Sequence, residues 1–206
     1  MTLAVSDKSG DKGRLFVVSG PSGAGKGTLV AAALEAFPDL ALSISATTRS
    51  PRPKDVEGET YYFINNERFD ELIRDGGFLE WAEVHGFRYG TLVDEVNKAL
   101  DAGKDLILEI DLQGYQQIKN HLIEVFSIFI VPPSLEELEK RLELRGTENR
   151  QSIESRLATA RVELEAKDSY NAVIVNDDLD VAEREMIEVI GKQRNGHIAD
   201  DKRCAE

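Results

Sequence analysis

Residues 20–28 read Gly-Pro-Ser-Gly-Ala-Gly-Lys-Gly-Thr. Gly20, four residues, then Gly25 and Lys26 is the spacing of a loop that wraps phosphate groups. Glycines at 20, 23 and 25 permit backbone angles closed to other residues. They let successive N–H groups turn inward on phosphate oxygens, and a helix starting near Gly25 adds the partial positive charge of its N-terminus. Lys26 then reaches the β and γ phosphates of a nucleotide as a movable point charge. Gly20, Pro21, Ser22, Gly23, Ala24, Gly25, Lys26, Gly27 and Thr28 are the expected contacts. One position departs from the motif: Gly27 stands where Ser or Thr usually follows the lysine. Thr28 is therefore expected on a phosphate, with a divalent cation held mostly through phosphates and water and no protein ligand assigned to it. The bland alternative is a ligand-free glycine turn, but strand, loop, lysine and helix arrive in the order that phosphate binding requires.

A second anion site is legible at Ser45–Phe63, S-A-T-T-R-S-P-R-P-K-D-V-E-G-E-T-Y-Y-F. Arg49 and Arg52 flank a proline that stiffens the turn. Two guanidinium forks on a rigid segment suit a doubly charged phosphate, and Tyr61 can add a hydroxyl. Glu109 and Asp111 alternate with Leu108, Ile110 and Leu112. On a strand that spacing puts both carboxylates on one face near the carboxyl end of the sheet. Each has a bland alternative: a solvated basic loop for the arginines, a helix cap for Asp111, an exposed strand with an anchoring tryptophan for Glu80-Trp81-Ala82-Glu83.

These groups need a scaffold. Arg14–Ser19, Leu106–Ile110, Val125–Val131 and Ala172–Val175 are apolar runs of buried-strand length. Lys26–Phe37, Ser134–Leu144, Ile153–Ala166 and Val181–Gln193 carry helical periodicity, and the S-L-E-E that opens the second of them is a capping box at Ser134. The alternation predicts an α/β fold: a parallel sheet covered by helices on both faces. Residues 43–91 are rich in Thr, Tyr, Phe, Pro and Gly and predict an inserted, partly antiparallel lobe. The charged stretch Arg145–Gln151 lies between two helices as a lid, within about 143–156. Residues 1–12 read as a leader and those from about Arg194 as a polar tail around a domain at 13–193.

The chain has 206 residues and a net charge of −13, so a sequence-independent nucleic-acid binder is disfavoured. No apolar stretch approaches the length of a membrane helix. Cys204 is the single cysteine and lies in the tail, which excludes an internal disulfide framework and fits a cytoplasmic protein. His85, His121 and His197 show no metal-ligand spacing, and no hydrolase triad is evident.

The ordered set G-P-S-G-A-G-K-G-T, T-T-R-S-P-R, G-E-T-Y-Y-F, F-L-E-W-A, Y-G-T, L-E-I-D-L-Q-G, R-L-E-L-R-G-T-E and V-N-D-D-L resembles guanylate kinases, P-loop nucleoside monophosphate kinases, from about Gly13 to Gly191. The resemblance implies a core sheet, a lid and a monophosphate-binding lobe, with ATP, Mg²⁺ and GMP (dGMP alongside it) as ligands. It places the GMP phosphate on Ser45, Arg49, Arg52, Tyr61 and Tyr89, and the guanine near Glu80, Thr91, Asp111 and Glu109. It places the adenine of ATP near Asn176 and makes Arg145 and Arg156 lid arginines. Glu109 stands where many members carry Asp. Catalysis is then expected from Lys26, Arg49, Arg145 and Arg156 by positioning and charge stabilisation; the acceptor phosphate is already a nucleophile, so no general base is required. Two rivals stay open: a kinase of another phosphorylated acceptor, and a non-catalytic binding module of the same fold. The oligomeric state is not readable.

Overall fold

Strand β1 (Leu15–Ser19) is buried along its whole length, as a strand packed on both faces must be. Its side chains alternate: Phe16 and Val18 enter one core, Leu15 and Val17 the other. In this computed structural model the described residues are 13–84, 86–121, 123–144 and 150–195. Strand β1 is central in a five-stranded sheet of order β2-β7-β1-β8-β9, all parallel, formed with β2 (Leu40–Leu42), β7 (Asp105–Glu109), β8 (Phe126–Val131) and β9 (Ala172–Val175). Helices α1 (Lys26–Ala36) and α7 (Leu179–Arg194) cover the first core, with Leu29, Ala33, Met186 and Ile190 fully buried. Helices α3 (Val93–Asp101) and α4 (Leu112–Asn120) cover the second. The expected doubly covered parallel sheet is therefore present.

The inserted lobe is a four-stranded mixed sheet of order β4-β3-β6-β5, built from β3 (Ala46–Thr47), β4 (Tyr62–Phe63), β5 (Phe78–Val84) and β6 (Phe87–Leu92). β5 and β6 pair antiparallel and set Glu80 opposite Thr91. Helix α2 (Asn66–Arg74) closes the lobe by placing Phe69 between Phe78 and Trp81, at ring distances of 4.4 and 6.2 Å. Asn65 caps this helix, its side chain accepting from the Arg68 N–H, a local signal the sequence reading passed over.

Helices α5 (Leu135–Leu144) and α6 (Arg150–Glu165) form a small third core from Leu138, Leu142, Ile153, Leu157 and Ala160. The Ser134 hydroxyl accepts from the Glu137 N–H at 3.1 Å, as a capping box does. Residues 145–149 between the two helices, Arg145 among them, lie outside the described residues, as do 1–12 and 196–206. Arg194 does not begin a loose tail: it ends α7, ion-paired to Asp105 at 2.7 Å and to Asp39. No helix of the described residues is long and apolar enough to cross a membrane.

Candidate active site

The loop after β1 has the shape its glycines predict. Gly23 and Gly25 adopt φ of 95° and 96°, in the left-handed region. Gly25 is also a point of close approach: a Cβ there would stand 2.1 Å from the Asn176 side-chain nitrogen. That nitrogen donates to the Ala24 carbonyl at 2.8 Å, while the Asn176 N–H donates to Val131 at 2.8 Å. Asn176 thus ties the end of β9 to the loop. Arg141, which sequence reasoning missed, donates to the Asn176 carbonyl at 2.9 Å. Lys26 lies across the loop mouth, its ammonium donating to the carbonyls of Gly20 at 2.6 Å and Pro21 at 3.2 Å. Arg156 reaches the same loop from α6, donating to the Ser22 hydroxyl at 2.6 Å, rather than forming helix ion pairs alone.

Glu109, the last residue of β7, turns its carboxylate towards the loop. Its Oε2 would lie 3.8 Å from a Cβ on Gly27. Glu109 and Asp111 do not share a strand face, because β7 ends at Glu109. Asp111 is the N-cap of α4: its side chain accepts from the Gly114 N–H at 2.9 Å and from Gln113 at 3.2 Å. The chain turns there because a capping carboxylate satisfies a helix N–H that has no other partner.

In the lobe, Arg49 is only 8% exposed. Its guanidinium pairs with Asp55 at 2.9 Å, donates to the Ser50 carbonyl at 3.0 Å and lies 5.3 Å from the Tyr61 ring centre. Tyr89 lies 5.8 Å from Tyr61, ring to ring. Burial raises the Tyr61 phenol, with Tyr89 and Glu109 adding to the rise. Arg52 is exposed, and its N–H donates to Asp55 at 2.7 Å. The Ser45 carbonyl accepts from the Tyr62 N–H at 3.0 Å, which pins the segment to β4.

Glu80 is the most unusual group. It is 5% exposed, and its Oε1 accepts from the Thr91 hydroxyl at 2.6 Å and the Thr91 N–H at 3.1 Å. Burial raises its pKa to about 7; the Thr91 bonds oppose that rise and the charge of Asp111 adds to it. The folded state therefore holds this proton more tightly than the unfolded chain. Ionising the group costs stability as pH rises from about 4.5 to 7, on the order of 3 kcal/mol once complete. A buried acceptor at this cost is a place to look for function.

A guanylate kinase family model matches residues 12–193. The chain belongs to the guanylate kinase family. It is 50% identical over 179 residues to the guanylate kinase of Rubrobacter xylanophilus, covering 87% of this chain and 94% of that one. It is 48% identical over 183 residues to the guanylate kinase of Prochlorococcus marinus, covering 89% and 97%. The crystal structure of guanylate kinase from Anaplasma phagocytophilum superposes with a TM-score of 0.69 at 31% identity, covering 92% of this chain and 89% of that one. As a guanylate kinase the protein is a nucleoside monophosphate kinase that passes the terminal phosphoryl group of ATP to GMP.

With the guanylate kinase activity in hand, Glu163 becomes notable. It sits seven residues, about two helical turns, beyond Arg156 and therefore on the same stripe of α6. Burial raises its carboxyl, with the charge of Lys26 opposing that rise and that of Asp111 adding to it. The two-turn spacing was a sequence signal that went unused. Tyr170, buried against Tyr115 at a ring distance of 4.0 Å, lies beneath the same region beside Ser19. By contrast, a shallow cavity of about 430 Å³ lined by Arg14, Phe37, Asp105, Gly191, Arg194 and Asn195 lies at the amino ends of β1 and β7, the opposite edge of the sheet from the phosphate loop.

Proposed function

We propose that the phosphoryl transfer is performed by two anion sites that share a wall of carboxylates. Lys26 and the amides of Gly20–Thr28 hold the β and γ phosphates of ATP, and Asn176 with Arg141 borders the adenine. Ser45, Arg49, Arg52, Tyr61 and Tyr89 hold the GMP phosphate. Glu80, Thr91 and Asp111 read the guanine, with Glu109 between the two phosphates. Arg156 already touches the loop at Ser22 and, with Arg145, neutralises the transferring group. The acceptor oxygen of GMP is anionic at neutral pH, so these residues position and stabilise charge rather than move a proton.

Among the described residues no three ligating side chains gather into a metal cage. Gly27 in place of a hydroxyl residue, with the Glu109 carboxylate beside it, fits a cation held by phosphate oxygens and water, with Glu109 accepting from that water. Mg²⁺ held there through phosphate and water, beside Gly27 and Glu109, would offset the negative charge of the transferring phosphates.

The observation that carries the choice of base is Glu80. Guanine offers two donors, N1–H and the N2 amine, to a buried carboxylate whose second oxygen faces α4 rather than Thr91. Adenine has no proton on N1 and no N2 amine. Incubation with ATP, Mg²⁺ and each monophosphate separately tests this: GMP is expected to be consumed, dGMP alongside it, and AMP almost ignored. Preferential use of AMP overturns the base assignment.

Binding GMP requires Glu80 ionised, so complex formation near pH 7 is expected to release about half a proton from this group. Calorimetric heats in buffers of different ionisation enthalpy read that release directly. Ribose 5-phosphate, which carries the phosphate without the base, is the control and is expected to release far less.

Arg49 and Arg156 lie on separate elements, so ATP and GMP together are expected to compact the molecule more than either alone. Small-angle scattering of the apo, singly and doubly liganded protein checks this. An unchanged radius across the four states counts against closure.

A further inference from the structure

Helix α4 passes directly behind Glu80, and it does so with a glycine. Gly114 is buried in the first turn of α4 with helical, not left-handed, backbone angles. The backbone therefore does not demand glycine, and among residues other than proline glycine is the poorest helix former. The space does demand it. A Cβ on Gly114 would stand 2.2 Å from Glu80 Oε2 and 2.9 Å from its carboxyl carbon. Real contacts of that kind do not occur below about 3 Å, so the carboxylate would retreat by about 1 Å.

Two further contacts decide which atoms give way. The side chain of Gln117, one turn along α4 from Gln113, grips the backbone of Trp81 twice. Its amide nitrogen donates to the Trp81 carbonyl at 2.6 Å, and its carbonyl oxygen accepts from the Trp81 N–H at 3.2 Å. Strand β5 is thereby fixed to α4 at the residue next to Glu80 and cannot withdraw as a unit. The Gly114 N–H meanwhile holds Asp111 at 2.9 Å, so α4 cannot rotate without losing its cap. The mobile atoms are those of the Glu80 carboxyl.

We propose that Gly114 is a specificity-determining position of this kinase: its absent side chain is the seat of the Glu80 carboxylate and sets that acceptor opposite the donors of guanine. Gly114 touches no substrate and acts through Glu80, so it is a positioning residue. The proposal rests on Glu80 reading the base. A displacement of about 1 Å at a base-reading acceptor is expected to weaken GMP use by roughly 10- to 100-fold.

The test compares Gly114→Ala, Gly114→Ala/Glu80→Asp and Glu80→Gln by steady-state kinetics with each substrate varied in turn, together with thermal melting. Gly114→Ala is expected to raise KM for GMP by roughly 10- to 100-fold, with KM for ATP within about threefold of wild type. Its melting temperature is expected to fall only modestly, because the overpacking at Glu80 costs about 1–3 kcal/mol and the better helix propensity of alanine offsets up to about 1 kcal/mol of it. The double variant withdraws the carboxyl by one methylene and is expected to recover part of the lost GMP use. An unchanged KM for GMP in Gly114→Ala overturns the proposal. So does an equal rise in both KM values with a large fall in melting temperature, which marks a merely structural role. Should Gly114→Ala fail to fold, folding of the double variant supports the clash with Glu80, and its failure overturns it. An unaltered preference for GMP over AMP in Glu80→Gln removes the base reading itself, an outcome distinct from the others.

Discussion

Glu80→Gln is expected to lower kcat/KM for GMP by roughly 10²-fold or more while the protein stays folded. Glutamine keeps one oxygen for the Thr91 hydroxyl now bonded at 2.6 Å. Its other atom is then an amide donor aimed at guanine N1–H and the N2 amine, donors themselves. Each group left unsatisfied in a buried site costs about 1–3 kcal/mol, and sites built on such bonds discriminate strongly. The loss is expected mainly in KM, since the base contact is equal in ground and transition states. Relative tolerance of AMP is expected to rise. Two readouts separate this from misfolding. The variant lacks a carboxyl that titrates near pH 7, so its melting temperature at pH 8 is expected to equal or exceed wild type. The buffer-dependent heat of GMP binding is expected to shrink with it. An unchanged GMP-to-AMP preference means that Glu80 does not read the base and moves the assignment to Asp111.

Lys26→Ala is expected to lower kcat by on the order of 10²–10³, by analogy with removal of a preorganised charge near a transferring group. The fold is expected to survive. Lys26 is partly exposed, and the Gly20 and Pro21 carbonyls that accept from it can be satisfied by water after substitution. The left-handed turn at Gly25 and the brace from Asn176 do not involve its side chain. Turnover within a few-fold of wild type in the purified, folded variant removes Lys26 from the chemistry.

Much of the scaffold is written in local order. The apolar runs at Leu15–Ser19 and Phe126–Val131 are strands buried on both faces, while Ala172–Val175 is the edge strand, with Ile174 buried and Val173 and Val175 exposed. Ser134 caps α5 through a hydroxyl three residues from its partner. The phosphate loop is legible because its three glycines, its lysine and its helix start fall within nine residues. Helix α2 was equally local, with Asn65 as cap and Arg74 in its last turn, and was missed because the lobe was read by composition rather than by caps.

What the chain could not show on its own depends on segments that meet only in the folded molecule. Glu109 and Asp111 look like two carboxylates of one strand face; the helix cap at Asp111 ends that face, because a helix N–H competes for the carboxylate. Arg156 meets Ser22 across 134 residues, and Gln117 meets Trp81 across 36. The acidity of Glu80 is a property of its burial, which no neighbour in sequence encodes. Periodicity, caps and glycine angles are short-range and so belong to the sequence; desolvation, charge proximity and the room left by a missing Cβ at Gly114 are sums over distant parts and exist only once the sheet, lobe and α4 have packed.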